Sequence, residues 1–131
     1  MERKLRDPGL VQTGWMLSSA VARNDAFPDT FKIPSKERRS SLERGEAVQL
    51  LFDIETREAG KLIDRGIDRM WVIVIAVLPR GYQGVLDSDP GTAENLKLFR
   101  GDLIEFGPDH ICKVDQPPEE FLKKEYGEYF Q

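Results

Sequence analysis

Residues 70–78 read Met-Trp-Val-Ile-Val-Ile-Ala-Val-Leu, the longest apolar run in the chain. Its nine residues fall well short of the about 20 that a helix needs to cross a bilayer. Valine and isoleucine lose side-chain freedom in a helix and pack well on a pleated surface. The run therefore predicts a strand buried on both faces, central in a sheet or in the wall of a closed barrel. Pro79-Arg80-Gly81 reads as a turn and 82–86 as the return strand of a hairpin.

The rest of the chain supplies shorter pieces. Residues 47–54 alternate, with Val48, Leu50, Phe52 and Ile54 on one face and Gln49 and Asp53 on the other; Leu51 breaks the pattern and implies a partly covered outer face. Short strands are also expected at 13–17, 31–33, 103–106 and 111–114, with a brief pairing at 95–99. Ser35 is placed to cap a helix over 36–44, closed by Gly45. Pro117-Pro118-Glu119-Glu120 opens a C-terminal helix whose Phe121, Leu122, Tyr126, Tyr129 and Phe130 can pack back on the sheet. Residues 55–68, polar and holding Gly60 and Gly66, read as a long connection. Leu42-Glu43-Arg44-Gly45-Glu46 is echoed by Leu98-Phe99-Arg100-Gly101-Asp102, in each case a tight turn feeding an alternating strand. The fold class expected is α+β: a small, strongly bent antiparallel sheet or barrel with one or two peripheral helices. The 131 residues fit one domain, with 1–10 as a flexible tail and 117–131 as a helix packed on the sheet.

A single cysteine, Cys112, rules out an internal disulfide, and the charged start of the chain lacks the apolar core of a signal peptide. Both point to a cytoplasmic protein. Net charge drifts from +3 over residues 1–45 to −1 over 46–84 and −6 over 85–131. An acidic end disfavours phosphate contacts and suits a protein partner with a basic surface, so neither nucleic acid nor membrane is an expected partner. Oligomeric state is left open.

Catalytic constellations are sparse. One His and one Cys exclude a zinc site built from His and Cys alone within one chain, and the Asp87-x-Asp89 pair lacks the later ligands of a calcium loop. His110 and Cys112 would share a face on a strand, but nothing nearby completes a nucleophilic site. Asp102, Glu105 and Asp109 could gather at one sheet end for acid–base work. Lys36, Arg38, Arg39 and Arg44 make a basic stretch with only Phe31 near it for stacking. No catalytic residue, metal site or cofactor is expected. The candidate binding residues are Tyr82, Asp87, Asp89, Glu119, Glu120 and Glu125, with Trp71 as either core or anchor. A small-ligand barrel with Tyr82 and Trp71 at its mouth, and an enzyme with a dispersed carboxylate or Cys112/His110 site, are the alternatives.

Several motifs, taken together, resemble an uncharacterised family of small bacterial domains. They are Arg69-Met70-Trp71-Val72, Tyr82-x-Gly84-x-Leu86-Asp87-x-Asp89-Pro90, Leu98-x-x-Gly101-Asp102-x-Ile104-x-Phe106 and Asp109-His110-Ile111, preceded by Ile33-Pro34 and Leu42-x-x-Gly45-x-x-Val48-x-Leu50. The resemblance covers about residues 31–111. It implies a compact α+β or barrel-like fold in a bacterial cytoplasm and attaches no activity. Immunity proteins of bacterial toxin systems are similar by analogy of fold alone.

Overall fold

The apolar run lies where its composition requires, in the middle of a sheet. It is the second half of β3 (Lys61–Leu78), which runs between β2 (Ala47–Glu58) and β4 (Gly81–Leu86). The computed structural model describes residues 10–91 and 94–131. β5 (Leu103–Phe106) continues the sheet beyond β4. The far edge of β2 is shared: β1 (Trp15–Ser18) pairs with residues 51–54 and β6 (Ile111–Asp115) with 47–50. All pairings among the described residues are antiparallel, and the six strands they form curl into an open half-barrel. The expected bent α+β sheet is therefore present, in its open form.

Curling is what lets a small sheet bury one face against itself. Val48, Leu50, Phe52 and Ile54 of β2 meet Met70, Val72 and Val74 of β3 on the concave side, with Trp15, Leu86, Ile104 and Phe106 filling the rest. Trp15, Phe52, Leu50 and Leu86 have no accessible surface, and burial of each such side chain stabilises the fold by about 1.5–3 kcal/mol. Gly84 sits on this concave face. A Cβ there would collide with Val72 Cγ1 and reach the Ile73 carbonyl oxygen at 2.8 Å, so the glycine permits the tight curl.

Two helices cover the convex face. α2 (Ala20–Ala26), capped by the Ser19 hydroxyl, lies over Leu51 and Cys112 together with Phe31. That explains the apolar Leu51 in an otherwise polar outward row. α4 (Glu119–Glu125) lays Leu122, with Tyr126 just after it, over Ala47, Ile73 and Val85. Shorter turns are α1 (Leu10–Thr13), α3 (Lys36–Arg39) and a 3₁₀ turn at Pro108–His110. No helix among the described residues is long and apolar enough to cross a membrane.

The echoed Arg-Gly-acid turns share one hydrogen-bond pattern. The N–H groups of Glu43 and Phe99 donate to the carboxylates of Glu46 and Asp102 at 2.6 and 2.8 Å. Gly45 and Gly101 (φ +99° and +94°) donate to the carbonyls of Val74 and Leu86, both at 2.8 Å. Val74 and Leu86 donate back to the carbonyls of Glu46 and Asp102. One turn design thus launches both β2 and β5 from the edge of a neighbouring strand.

Four expectations need correction. Residues 55–68 are not a connection: β2 and β3 continue through them as one long hairpin, turning at Ala59-Gly60, both at positive φ. Every residue from Glu58 to Arg69 is exposed, so no hydrophobic alternation marks the far part of the hairpin. Residues 31–33 form no strand, because the Asn24 amide, rather than a ladder, takes the Phe31 carbonyl at 2.7 Å. Residues 95–99 form none either; the Asn95 side chain bonds the backbone of Glu55 and Arg57, and the Lys97 N–H donates to Thr13. α3 stops at Arg39 instead of reaching Arg44, since Leu42 must enter the core, where its N–H donates to the Tyr82 hydroxyl. The expected tail lies outside the described residues except for Leu10, which begins α1.

Candidate binding groove

The two helical covers leave a gap on the convex face, and Trp71 lies in it. Alternation along β3 sends Met70 and Val72 inward and Trp71 and Ile73 outward. α4 reaches Ile73 but leaves Trp71 half-buried. The resulting groove of about 280 Å³ has Trp71, Ile73 and Ala47 as its floor and Pro117, Pro118 and Phe121 as one wall. Asp87 and Asp115 bring carboxylates to it. The two prolines belong to the stiff entry into α4, with Pro118 as its N-terminal cap residue. Gln49 pairs directly with Trp71 across the sheet, and its buried amide oxygen accepts no hydrogen bond among the described residues.

Asp87 is held in place. It accepts hydrogen bonds from the Tyr126 hydroxyl and from the Arg100 guanidinium at 3.3 Å. Arg100 also approaches Glu125 at 3.8 Å and lies over the Tyr126 ring. Burial, and then the bond to Asp87, push the Tyr126 hydroxyl well above its ordinary range, so it remains a donor at any physiological pH. Its bond to Asp87 strengthens the guanidinium's hold on its proton. This network ties the C-terminal segment to the turn after β4.

The remaining sequence candidates are dispersed. Asp89 accepts from the Gly91 N–H within its own turn. Glu119 pairs with Lys123 one helical turn on at 2.8 Å, and Glu120 is exposed beside it. Tyr82 is 3% exposed, its ring against Phe106, its hydroxyl donating to the Arg39 carbonyl at 2.9 Å. It serves the core, and side chains fill the concave interior around it.

His110 and Cys112 do not share a site. His110 closes a single 3₁₀ turn (Pro108–His110), its Nδ1 accepting from the Gly107 N–H at 3.0 Å, with burial lowering its pKa. Cys112 packs under α2, and burial pushes its thiol up to about 11. Asp102 serves its turn and Asp109 lies 3.5 Å from Arg39, while Glu105 is exposed on β5. Among the described residues no three His, Cys, Asp or Glu side chains gather as metal ligands would. The basic stretch is largely structural: Arg38 pairs with Glu46, Arg39 bonds the carbonyls of Pro34 and Pro108, and Arg44 bonds the Tyr129 carbonyl and stacks on Phe130.

Asp87 and Trp71, both singled out in the sequence as binding candidates, line this groove together with Asp115, Phe121 and the two prolines, which were not. The only signal was the half-apolar outward row of β3. No protein-family model, curated protein or solved structure matches this chain.

Proposed function

We propose that the chain is a non-catalytic protein-binding module of a bacterial cytoplasm, of the immunity or accessory kind, which seats a cationic side chain of its partner in the Trp71 groove. The observation that carries this is a half-buried Trp71 floor with carboxylates from Asp87 and Asp115 beside it. An indole face attracts a cation, and a carboxylate adds a charge-assisted hydrogen bond. Arginine suits the site better than lysine. Its planar fork can stack on Trp71 and bond a carboxylate at the same time. The net −6 over residues 85–131 would speed encounter with a basic surface.

The test is affinity capture from lysate of the cells that make the protein, at low and then physiological salt, with native chain and Asp115→Lys in parallel. Asp115 is exposed, so its reversal leaves the core untouched. One stoichiometric, salt-sensitive partner retained by the native chain and lost by the variant supports the proposal. Equal retention by both removes the groove as the contact.

A further inference from the structure

β3 is paired on both sides for only part of its length. β2 accompanies it from Lys61 to Ile73, whereas β4 joins only from Val72 onward. Just before that, the turn after β4 closes the edge, the Ser88 hydroxyl accepting from the Trp71 N–H and the Asp87 N–H donating to the Trp71 carbonyl. Over residues 61–70 the second edge is open among the described residues, and every side chain of 61–69 is exposed.

Which backbone groups this edge offers follows from the ladder. Trp71 directs its N–H and C=O to the β4 side, and Val74, of the other parity, bonds on the β2 side. The ladder is regular between residues 64 and 73, so Arg65, Ile67 and Arg69 point their N–H and C=O groups outward. An unpaired row of this kind is a template for another strand.

The side chains select the occupant. Arg65, Ile67 and Arg69 share the convex face; Asp64, Gly66 and Asp68 share the other. A second copy is disfavoured. Paired antiparallel about residue 66, Asp64 meets Asp68; about 67, Arg65 meets Arg69; about 64, 65 or 68, the central charge meets itself. Like charges directly opposite are destabilising. Arg69 and Arg23 both lie over the Phe31 ring, at 5.3 and 5.4 Å, and neither has a carboxylate partner among the described residues. They line a hollow of about 260 Å³ at the end of the open edge. Arg65 already pairs with Asp53 on β2 at 3.0 Å, so an acid on an added strand would extend an alternating row.

We propose that the open edge of β3 binds an extended segment of another protein by strand addition. The segment carries acidic residues opposite Arg69 and Arg65, an apolar residue opposite Ile67, and basic residues opposite Asp68 and Asp64. This surface is separate from the Trp71 groove and stands or falls independently of it. The antiparallel probe is the blocked hexapeptide Glu-Lys-Val-Thr-Glu-Lys, followed by amide NMR on the full chain. It should shift the amides of Arg65, Ile67 and Arg69 and slow their exchange, while Gly66 and Asp68, already bonded to β2, change little. Ile67→Pro removes an outward N–H that β2 does not use, and should abolish binding with the fold retained. Arg69→Glu should weaken binding by about tenfold, and a peptide with lysine at its first position should recover it. No shift at about 1 mM peptide, equal binding of the charge-swapped peptide Lys-Glu-Val-Thr-Lys-Glu, or a dimer of this chain that Ile67→Pro dissolves would each overturn the proposal.

Discussion

The β2–β3 hairpin has two halves built from the same two strands. At its base, Val48 and Leu50 face Val72 and Met70 inside the half-barrel, with Phe52 in the same core, while α2 and α4 cover much of the other side. At its tip, residues 61–69 are exposed throughout, including Leu62 at 49%, Ile63 at 57% and Ile67 at 39%. Backbone pairing to β2 is continuous across both halves apart from one register shift beside Thr56. The hydrogen-bond ladder therefore does not distinguish them; the presence of further layers does. A long strand keeps its pairing to β2 beyond the core, with its other edge unpaired among the described residues.

Truncation at the base should show this most strongly. Phe52→Ala removes a ring with no accessible surface that lies tilted against Trp15, centroids 5.5 Å apart, and should cost about 3–5 kcal/mol in chemical denaturation. Ile67→Ala at the tip should stay within about 0.5 kcal/mol of the native chain. A comparable loss at both positions would mean the tip packs against something.

Next in size are the joints between strands and covers. Gly45→Ala should cost about 1–2 kcal/mol, because Gly45 holds φ +99° and an added Cβ would press on Leu122 of α4 at 3.3 Å. Tyr126→Phe deletes the donor to Asp87 and should cost about 1–2 kcal/mol of stability. It should also weaken any groove ligand, since Asp87 then loses a fixed partner. Unchanged melting in either variant would argue against a tightly docked α4.

The smallest effect is electrostatic. Burial opposes ionisation of Glu46, but the Arg38 guanidinium and the Glu43 N–H outweigh it and hold the carboxyl below its ordinary value. The resulting stabilisation is complete above the ordinary carboxylate range and is lost as pH falls through the folded value. Glu46→Gln should therefore flatten the acid limb of the stability profile by under about 1 kcal/mol, and leave the tip's exchange rates alone.

The same contrast explains what the sequence could reveal. At the base, burial imposes a period of two on 47–54 and a wholly apolar row on 70–78, and both strands can be read from it. At the tip no face is buried, so Asp64, Arg65, Asp68 and Arg69 look like a loop although they lie on a strand. Buried turns were legible through Gly45 and Gly101; the tip turn hid behind Ala59, a poor candidate for positive φ. The groove was only half legible. Trp71 and Asp87 stand in the two motif-rich segments, but Asp115, Pro117, Pro118 and Phe121 reach them through the pairing of β6 with β2, which no local pattern announces.

Trp71 is also a reporter, because the other tryptophan, Trp15, has no accessible surface. The most direct test of the groove is to titrate the native chain with blocked Leu-Arg-Leu, Leu-Lys-Leu and Leu-Glu-Leu while following tryptophan emission. A saturable change with arginine, weaker with lysine, absent with glutamate and lost in Asp115→Lys is the predicted result. The same response to arginine and glutamate peptides, or an arginine response that survives Asp115→Lys, would contradict a cation-binding groove.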